Sequence, residues 1–319
     1  MAVLQPGLPP LAPEVPVRRF PHYEDAVRAM VDYEAALYRN ASWKRANCIP
    51  VTDQDQPEEV FGLFPARPDL PPLAIVGGMG PLAGAQAFRK ACGRFQDSRA
   101  LVLYQACSLP DRSTVILGED GPDTPLCYEI ALRLADAVRL AVDHLGPPPS
   151  QPARCIIACN SAHYFWPLVA RELRQTTARP REMQMISLVD SSLQALRSRS
   201  SRRTLLLATE GARAGKVFSA PCLDAGIVFD EPSPAQSRLL TGAIFEGVKS
   251  LDPRRAVQLG NEFFETILRS GRDYDCVLAG CTELAPLIDL LRRNGSPGVT
   301  AFLSRVTIVD PVEEALRHA

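Results

Sequence analysis

The sequence lacks an excess of charge of either sign, because 35 Lys and Arg residues stand against 36 Asp and Glu residues. A formal net charge of -1 gives no field that would draw the chain to nucleic acid or to an anionic membrane. No stretch has the apolar length needed to span a bilayer, and prolines at 6, 9, 10, 13 and 16 interrupt its first residues. We therefore expect a cytoplasmic protein that acts on a small molecule and binds neither nucleic acid nor membrane.

Patterns for disulfides, metals and common cofactors are also missing. The nine cysteines are an odd number and include no CxxC pair, which argues against a disulfide framework or a zinc knuckle. The glycines at 77, 78 and 80 do not form a dinucleotide-binding G-x-G-x-x-G, because Pro81 and Leu82 follow Gly80. There is no P-loop and no sign of a pyridoxal-phosphate lysine. We expect reduced thiols, no metal and no cofactor.

Composition separates the start of the chain from the rest. Residues 1–72 are rich in proline and polar residues, with Pro65, Pro68, Pro71 and Pro72 just before the first strong strand pattern. Apolar residues from Tyr23 to Leu37 recur at helical spacing, which predicts one amphipathic helix. We expect this segment to be an extension, and the chain from residue 73 onward to fold without it.

From Leu73 onward, short apolar runs alternate with helical patterns. The predicted strands are 74–76, 101–104, 155–158, 185–188, 204–208 and 276–279. The predicted helices are 83–95, 126–144, 166–175, 191–197, 234–249, 253–270 and 284–293. This alternation predicts an α/β fold of two similar doubly wound parallel-sheet domains, 73–184 and 185–297, with 298–319 returning to the first. Because ligands bind at the carboxyl ends of such strands, we expect the active site in the cleft between the domains.

Six short segments occur in a characteristic order. They are GGMGPLAG at 77–84, LPDRS at 109–113, CNSAH at 159–163, LLATEG at 206–211, FEGVKS at 245–250 and AGCTEL at 279–284. In order and approximate spacing they resemble the aspartate/glutamate racemase family, and the GGMG opening and GCTEL closing resemble its aspartate racemase branch. The resemblance implies a cofactor-independent isomerase that works as a homodimer, with Cys159 and Cys281 as its catalytic pair.

Two thiols suit the inversion of an amino acid at its α-carbon. A proton must leave one face and another must arrive on the opposite face, so a base and an acid have to flank the carbon. A free thiol has a pKa of about 8.5, which a nearby cation or helix N-terminus lowers, so one cysteine can be a thiolate while the other is a thiol. We predict racemisation of an acidic amino acid by Cys159 and Cys281, with aspartate as the first candidate and glutamate as another.

The resemblance also implies a set of substrate-binding residues. Arg112 matches the family's substrate-binding arginine, and a guanidinium can bind a carboxylate at two points. Lys249 matches a family lysine near the site. Two roles remain possible for His163: it contributes to the site, or it supports the helix that follows. The predicted substrate-binding residues are Met79, Gly80, Arg112, Asn160, Ser161, Thr209, Lys249, Thr282 and Glu283.

Three features depart from the family pattern. Ser161 replaces a common threonine but keeps the hydroxyl, whereas Ala212 follows Gly211 where relatives have a substrate-holding threonine. The third departure is the segment 1–72, which has no counterpart in the family pattern.

Two alternative functions therefore stay open. One is a two-cysteine isomerase or lyase acting on a small dicarboxylate such as maleate, and the other is a non-catalytic homologue that binds an acidic ligand or a partner protein. Retention of both cysteines favours an enzyme.

Overall fold

The computed structural model describes residues 11, 15–52, 56–146, 151–175 and 183–319. In these ranges the chain forms two open sheets covered by helices, with parallel strands at the centre of each. The predicted α/β fold class is therefore confirmed. Across the same ranges, no helix is both long enough and apolar enough to cross a membrane.

The first sheet has six strands in the order β1-β2-β4-β3-β5-β6. They are β1 Val17–Phe20, β2 Glu59–Leu63, β3 Leu73–Gly77, β4 Leu101–Gln105, β5 Ala153–Ile157 and β6 Met183–Ile186. Strands β3 to β6 are parallel, whereas β2 runs antiparallel to β4 and carries β1 parallel to itself. Strands β3 and β4 are buried along their whole length, which explains their unbroken apolar runs.

The second sheet has four parallel strands in the order β10-β9-β7-β8. They are β7 Thr204–Leu207, β8 Phe229–Asp230, β9 Cys276–Ala279 and β10 Thr307–Val309. The two central strands, β7 and β9, are fully buried. Both central strands were predicted from their apolar runs, whereas the two- and three-residue edge strands were not.

Thirteen α-helices occur in the described ranges and cover the faces of the two sheets. They are α1 Tyr23–Ala46, α2 Pro81–Phe95, α3 Arg112–Gly118, α4 Pro125–Asp143, α5 Trp166–Gln175, α6 Leu188–Ser198, α7 Glu210–Ala214, α8 Ser219–Asp224, α9 Pro234–Gly242, α10 Pro253–Arg269, α11 Leu284–Asn294, α12 Pro297–Arg305 and α13 Pro311–His318. Short 3₁₀ turns span Gln96–Ser98 and Ser161–Phe165, and a π-helical segment spans Ala243–Lys249 directly after α9.

The segment before residue 73 is tied into the first sheet, whereas the sequence pattern indicated an extension beside it. Helix α1 packs on α2, and its Met30 side chain is completely buried. Phe61 on β2 is also completely buried and makes an edge contact with Tyr33, with ring centroids 5.2 Å apart. Because β2 pairs with β4, this segment also covers an edge that would otherwise lie open.

The C-terminal segment divides between the two sheets. Strand β10 pairs with β9 in the second sheet, and helix α13 packs against α6 and also touches α2. Lys90 on α2 bridges Asp310 at 2.6 Å and Glu313 at 3.0 Å. Only the end of the segment 298–319 therefore reaches the first domain, where the whole segment was expected.

Candidate active site

The carboxyl ends of the central strands of both sheets meet at one small cavity with about 280 Å³ of empty space. Its lining comes from the turns after β3, β5, β7 and β9, from the start of α3 and from the π-helical segment. The lining residues are Met79, Asp111, Arg112, Ser113, Cys159, Asn160, Ser161, Thr209, Phe245, Lys249, Cys281, Thr282 and Glu283. The structure thus brings ten of the eleven predicted site residues together, all except Gly80.

The two cysteines occupy equivalent places in the two halves. Cys159 lies two residues after β5 and Cys281 two residues after β9, and each is 6% exposed. At both places the strand ends in a tight bend, with the Cys159 amide donating to the Ile157 carbonyl at 2.9 Å and the Gly280 amide donating to the Leu278 carbonyl at 3.0 Å. The bends direct the chain out of each sheet, so that both cysteines line the shared cavity.

Cys281 has a carboxylate as its direct neighbour. Its thiol donates to Glu283 Oε2 at 2.9 Å, and the Thr282 hydroxyl donates to the same oxygen at 3.0 Å. Burial and the Glu283 carboxylate raise the pKa of the Cys281 thiol well above its usual value, and Lys249 opposes this rise only in part. Cys281 is therefore held as a neutral thiol in this geometry.

Arg112 lies at the first turn of α3 and is 3% exposed. One terminal nitrogen donates to the carbonyl oxygens of Pro110 at 2.6 Å and Leu109 at 3.3 Å, and the other donates to the carbonyl oxygen of Met79. The guanidinium therefore contacts main-chain oxygens on two separate turns of the cavity wall. A substrate carboxylate that takes both terminal nitrogens has to displace some of these contacts.

Lys249 is the second cation of the cavity. Its Nζ lies 3.7 Å from Asp111 Oδ2, 3.5 Å from the Met79 carbonyl oxygen and 5.0 Å from the centre of the Phe245 ring. Although burial acts in the opposite direction, the cations Lys249 and Arg112 and hydrogen bonds from Thr114 lower the pKa of the Asp111 carboxyl. Asp111 is thus ionised, and it partly neutralises the positive end of the cavity.

Small polar side chains from three turns meet across the two halves. The Ser113 hydroxyl donates to Thr209 Oγ1 at 3.0 Å, and Ser161 Oγ lies 3.3 Å from the same atom. Asn160 is 1% exposed, and its side-chain amide donates to the Ala279 carbonyl at 3.5 Å. These contacts join the end of β5 to the second sheet and keep hydrogen-bonding groups beside Cys159.

His163 supports the site from behind and does not line the cavity. Its Nε2 accepts the Leu188 amide at 3.0 Å, so Nδ1 carries the proton and donates to the Cys159 carbonyl at 3.0 Å. Burial lowers the pKa of this imidazole to about 4. A neutral His163 therefore ties the turn that carries Cys159 to the first residue of α6.

Gly80 lies beside the cavity and lines a neighbouring one of about 350 Å³, together with Lys249, Glu283 and residues before position 73. A Cβ atom at Gly80 would lie too close to Glu283 Oε1, so a larger residue here would force that carboxylate to move. A wider opening of about 690 Å³ lies outside Arg112 and Lys249, and it is walled by Val51 and Thr52. The N-terminal segment thus contributes to the surroundings of the site.

Five residues near the cavity were not predicted. Asp111 and Ser113 flank Arg112, and Phe245 lies one helical turn before Lys249 in the quoted FEGVKS segment, so sequence adjacency could have found these three. Val51 and Thr52 lie outside every recognisable motif. In the described ranges, no cluster of three or more His, Cys, Asp or Glu side chains is arranged to hold a metal ion.

Comparison with known proteins identifies a matching family and solved structures with a similar fold. The family described as Asp/Glu/Hydantoin racemase matches residues 76–319. The aspartate racemase of Picrophilus torridus superposes with a TM-score of 0.56 at 19% identity, covering 77% of this chain and 92% of that one. An aspartate racemase homologue from Pyrococcus horikoshii gives 0.53 at 19% identity, covering 78% and 97%.

The fold and the matched region define an isomerase of the racemase class. The chain belongs to the Asp/Glu/hydantoin racemase family, because the match covers well over half of its length. The expected family and the expected class of enzyme are both confirmed.

Proposed function

We propose that this racemase inverts an acidic amino acid without a cofactor, and that aspartate is its first substrate. The observation that carries the proposal is that Cys159 and Cys281 come from equivalent strand ends of two different sheets and line the same cavity. A substrate held between the two halves has one thiol on each side of its α-carbon. Cys159 and Cys281 then remove and return the α-proton on opposite faces.

The cavity's other groups suit an acidic amino acid. Lys249 and Arg112 supply positive charge for a carboxylate, and the carbonyl contacts of Arg112 place its guanidinium at the cavity wall. Asn160, Ser161, Thr209 and Thr282 add hydrogen-bonding groups near the two thiols. Met79 and Gly80 form the turn that backs Lys249 and Glu283, so we include both in the substrate-binding set. We further propose a cytoplasmic homodimer.

The GCTEL segment around Cys281 supports aspartate over glutamate, because it resembles the aspartate racemase branch. Proton NMR in D2O tests substrate and reaction together. The α-proton signal of L-aspartate should disappear in the presence of the protein, and D-aspartate should accumulate. Glutamate and maleate are the comparison substrates in parallel samples. If no amino acid exchanges its α-proton while maleate is converted, the protein is a dicarboxylate isomerase and our proposal is wrong.

A further inference from the structure

Glu283 distinguishes the two cysteines from each other. Its Oε2 accepts hydrogen bonds from the Cys281 thiol at 2.9 Å and from the Thr282 hydroxyl at 3.0 Å. Asp111 is the only other acidic side chain lining the cavity in the described part of the chain, and it bonds Thr114 and faces Lys249. The Cys281 side of the cavity therefore has an adjacent proton acceptor that the Cys159 side lacks.

The two oxygens of Glu283 lie in different surroundings. The side chain is 4% exposed, and Oε1 has no hydrogen-bond partner among the described residues. Oε1 lies against Gly80, and Glu283 lines both the catalytic cavity and the neighbouring cavity of about 350 Å³. One oxygen thus contacts the thiol while the other lies beside a second space.

Charge limits the states that this pair can adopt. A thiolate on Cys281 next to an ionised Glu283 would place two negative charges about one hydrogen bond apart in a buried site, which is strongly unfavourable. The charged groups facing the pair are Lys249 from the π-helical segment and, across the cavity, Asp111 and Arg112. Lys249 and Arg112 are both held by other partners, so neither fully compensates a second negative charge.

We infer that Glu283 shares a proton with Cys281 and thereby sets whether this cysteine acts as the base or as the acid. The inference rests on the racemase function proposed above. Glu283 acts on the reaction through the Cys281 sulfur, with which it shares a proton. It is therefore a positioning residue.

The pair holds one proton when Cys281 is the base and two when it is the acid. In the one-proton form, the thiol proton moves to Glu283 Oε2 as the sulfur takes the α-proton, which leaves a thiol beside a neutral carboxylic acid. Cys159 gives its proton to the opposite face. In the reverse direction the Cys281 thiol returns its proton to the α-carbon, the Glu283 proton moves back to the sulfur, and Cys159 receives the α-proton. No state contains two adjacent anions.

The test measures the Cys281 thiol itself as well as turnover. Iodoacetamide labelling across a range of pH, read at the Cys281 peptide by mass spectrometry, follows formation of its thiolate without any substrate. In the Glu283→Gln protein the adjacent negative charge is gone, so the labelling profile should shift to lower pH. The Glu283→Asp protein keeps a carboxylate and should stay near the wild-type profile. Glu314→Gln, which removes a buried carboxylate from α13 that pairs with Arg199, is the control.

Turnover is then measured separately for each enantiomer in D2O. Loss of a proton acceptor typically lowers a proton-transfer step by about 100-fold or more, so Glu283→Gln should slow exchange of the enantiomer facing Cys281 far more than exchange of the other. Glu283→Asp should restore part of that difference. An unchanged labelling profile in Glu283→Gln, with equal losses for both enantiomers, would overturn the inference. If the wild-type protein exchanges no amino acid, the proposed function fails, yet the labelling profile still decides whether Glu283 controls Cys281.

Discussion

The guanidinium of Arg112 donates to the main-chain carbonyl oxygen of Met79, and this contact joins the turn after β3 to the start of α3. The side chain that the motif assigns to substrate therefore also holds two parts of the cavity wall together. Sequence alone predicts that Arg112→Lys affects substrate use with little effect on folding. The main-chain contacts of Arg112 in the structure predict that this side chain also contributes to the stability of the folded protein.

We expect Arg112→Lys to lower both catalytic efficiency and the free energy of unfolding. A lysine reaches at most part of the three carbonyl contacts, and hydrogen bonds from a buried charged donor contribute about 1.5–3 kcal/mol each. Urea unfolding and kcat/KM for aspartate measure the two effects. Arg139→Lys is the control, because Arg139 also donates to a carbonyl but lies outside the cavity lining. If Arg112→Lys and Arg139→Lys behave alike in both assays, Arg112 has neither role.

The N-terminal segment should be required for a stable first domain. Phe61→Ala removes a ring that is completely buried against Tyr33, and such truncations cost about 3–5 kcal/mol. Trp43→Ala on α1 is the control, because that ring is 59% exposed and should change stability by well under 1 kcal/mol. Equal stability of the two variants would show that the segment is only loosely attached.

Deleting residues 1–70 should abolish cooperative unfolding, since it removes β1, β2 and α1 together.

The contrast between predicted and observed strands has a physical basis. Strands β3 and β4 are buried by helices on both faces, so their sequences are continuously apolar and visible without a structure. Strand β1 is an edge strand that carries Arg18 and Arg19 with exposed side chains, and β10 has only three residues. Such strands are defined by the neighbour with which they pair, and local sequence does not encode that neighbour.

The site shows the same division between local and long-range information. Residues such as Cys159 and Asn160 belong to short segments whose order along the chain identifies them. The hydrogen bond from Ser113 to Thr209 joins positions 96 residues apart, and the approach of Val51 to the opening depends on how the N-terminal segment folds back. The state of a buried group is also invisible in the sequence. The pKa of His163 is lowered to about 4 because the folded chain buries this side chain between Cys159 and Leu188.

Stability should fall in acid because of His163. Its folded-state pKa of about 4 lies below the usual value of about 6.5, so between these values the unfolded chain binds a proton that the folded chain does not. The contribution is fully present above pH 6.5 and decreases as pH falls toward 4, by up to about 3 kcal/mol. Urea unfolding at several pH values measures this slope.

His163→Gln should be less stable than wild type at pH 7 and should lose less stability between pH 6.5 and 4. His144→Gln is the matched comparison, because burial also lowers the pKa of His144 but only His163 donates to the Cys159 carbonyl. Removing His144 should leave most of the acid dependence in place. An unchanged pH slope in His163→Gln would mean that His163 is not the titrating group.

The two cysteines should fail in different ways when each is replaced by serine. A serine hydroxyl is too weak an acid to replace a thiol, so Cys159→Ser and Cys281→Ser should each abolish racemisation in both directions. The remaining thiol still faces the α-proton of one enantiomer, so each variant should retain slow deuterium exchange of that enantiomer alone, and the two variants should differ in which one exchanges. The double variant should exchange neither enantiomer.

Cys92→Ser, at a buried position on α2 outside the cavity lining, should change only stability, by about 1–3 kcal/mol. Near-normal racemisation by either single variant, assayed with both enantiomers in D2O, would exclude the two-thiol mechanism.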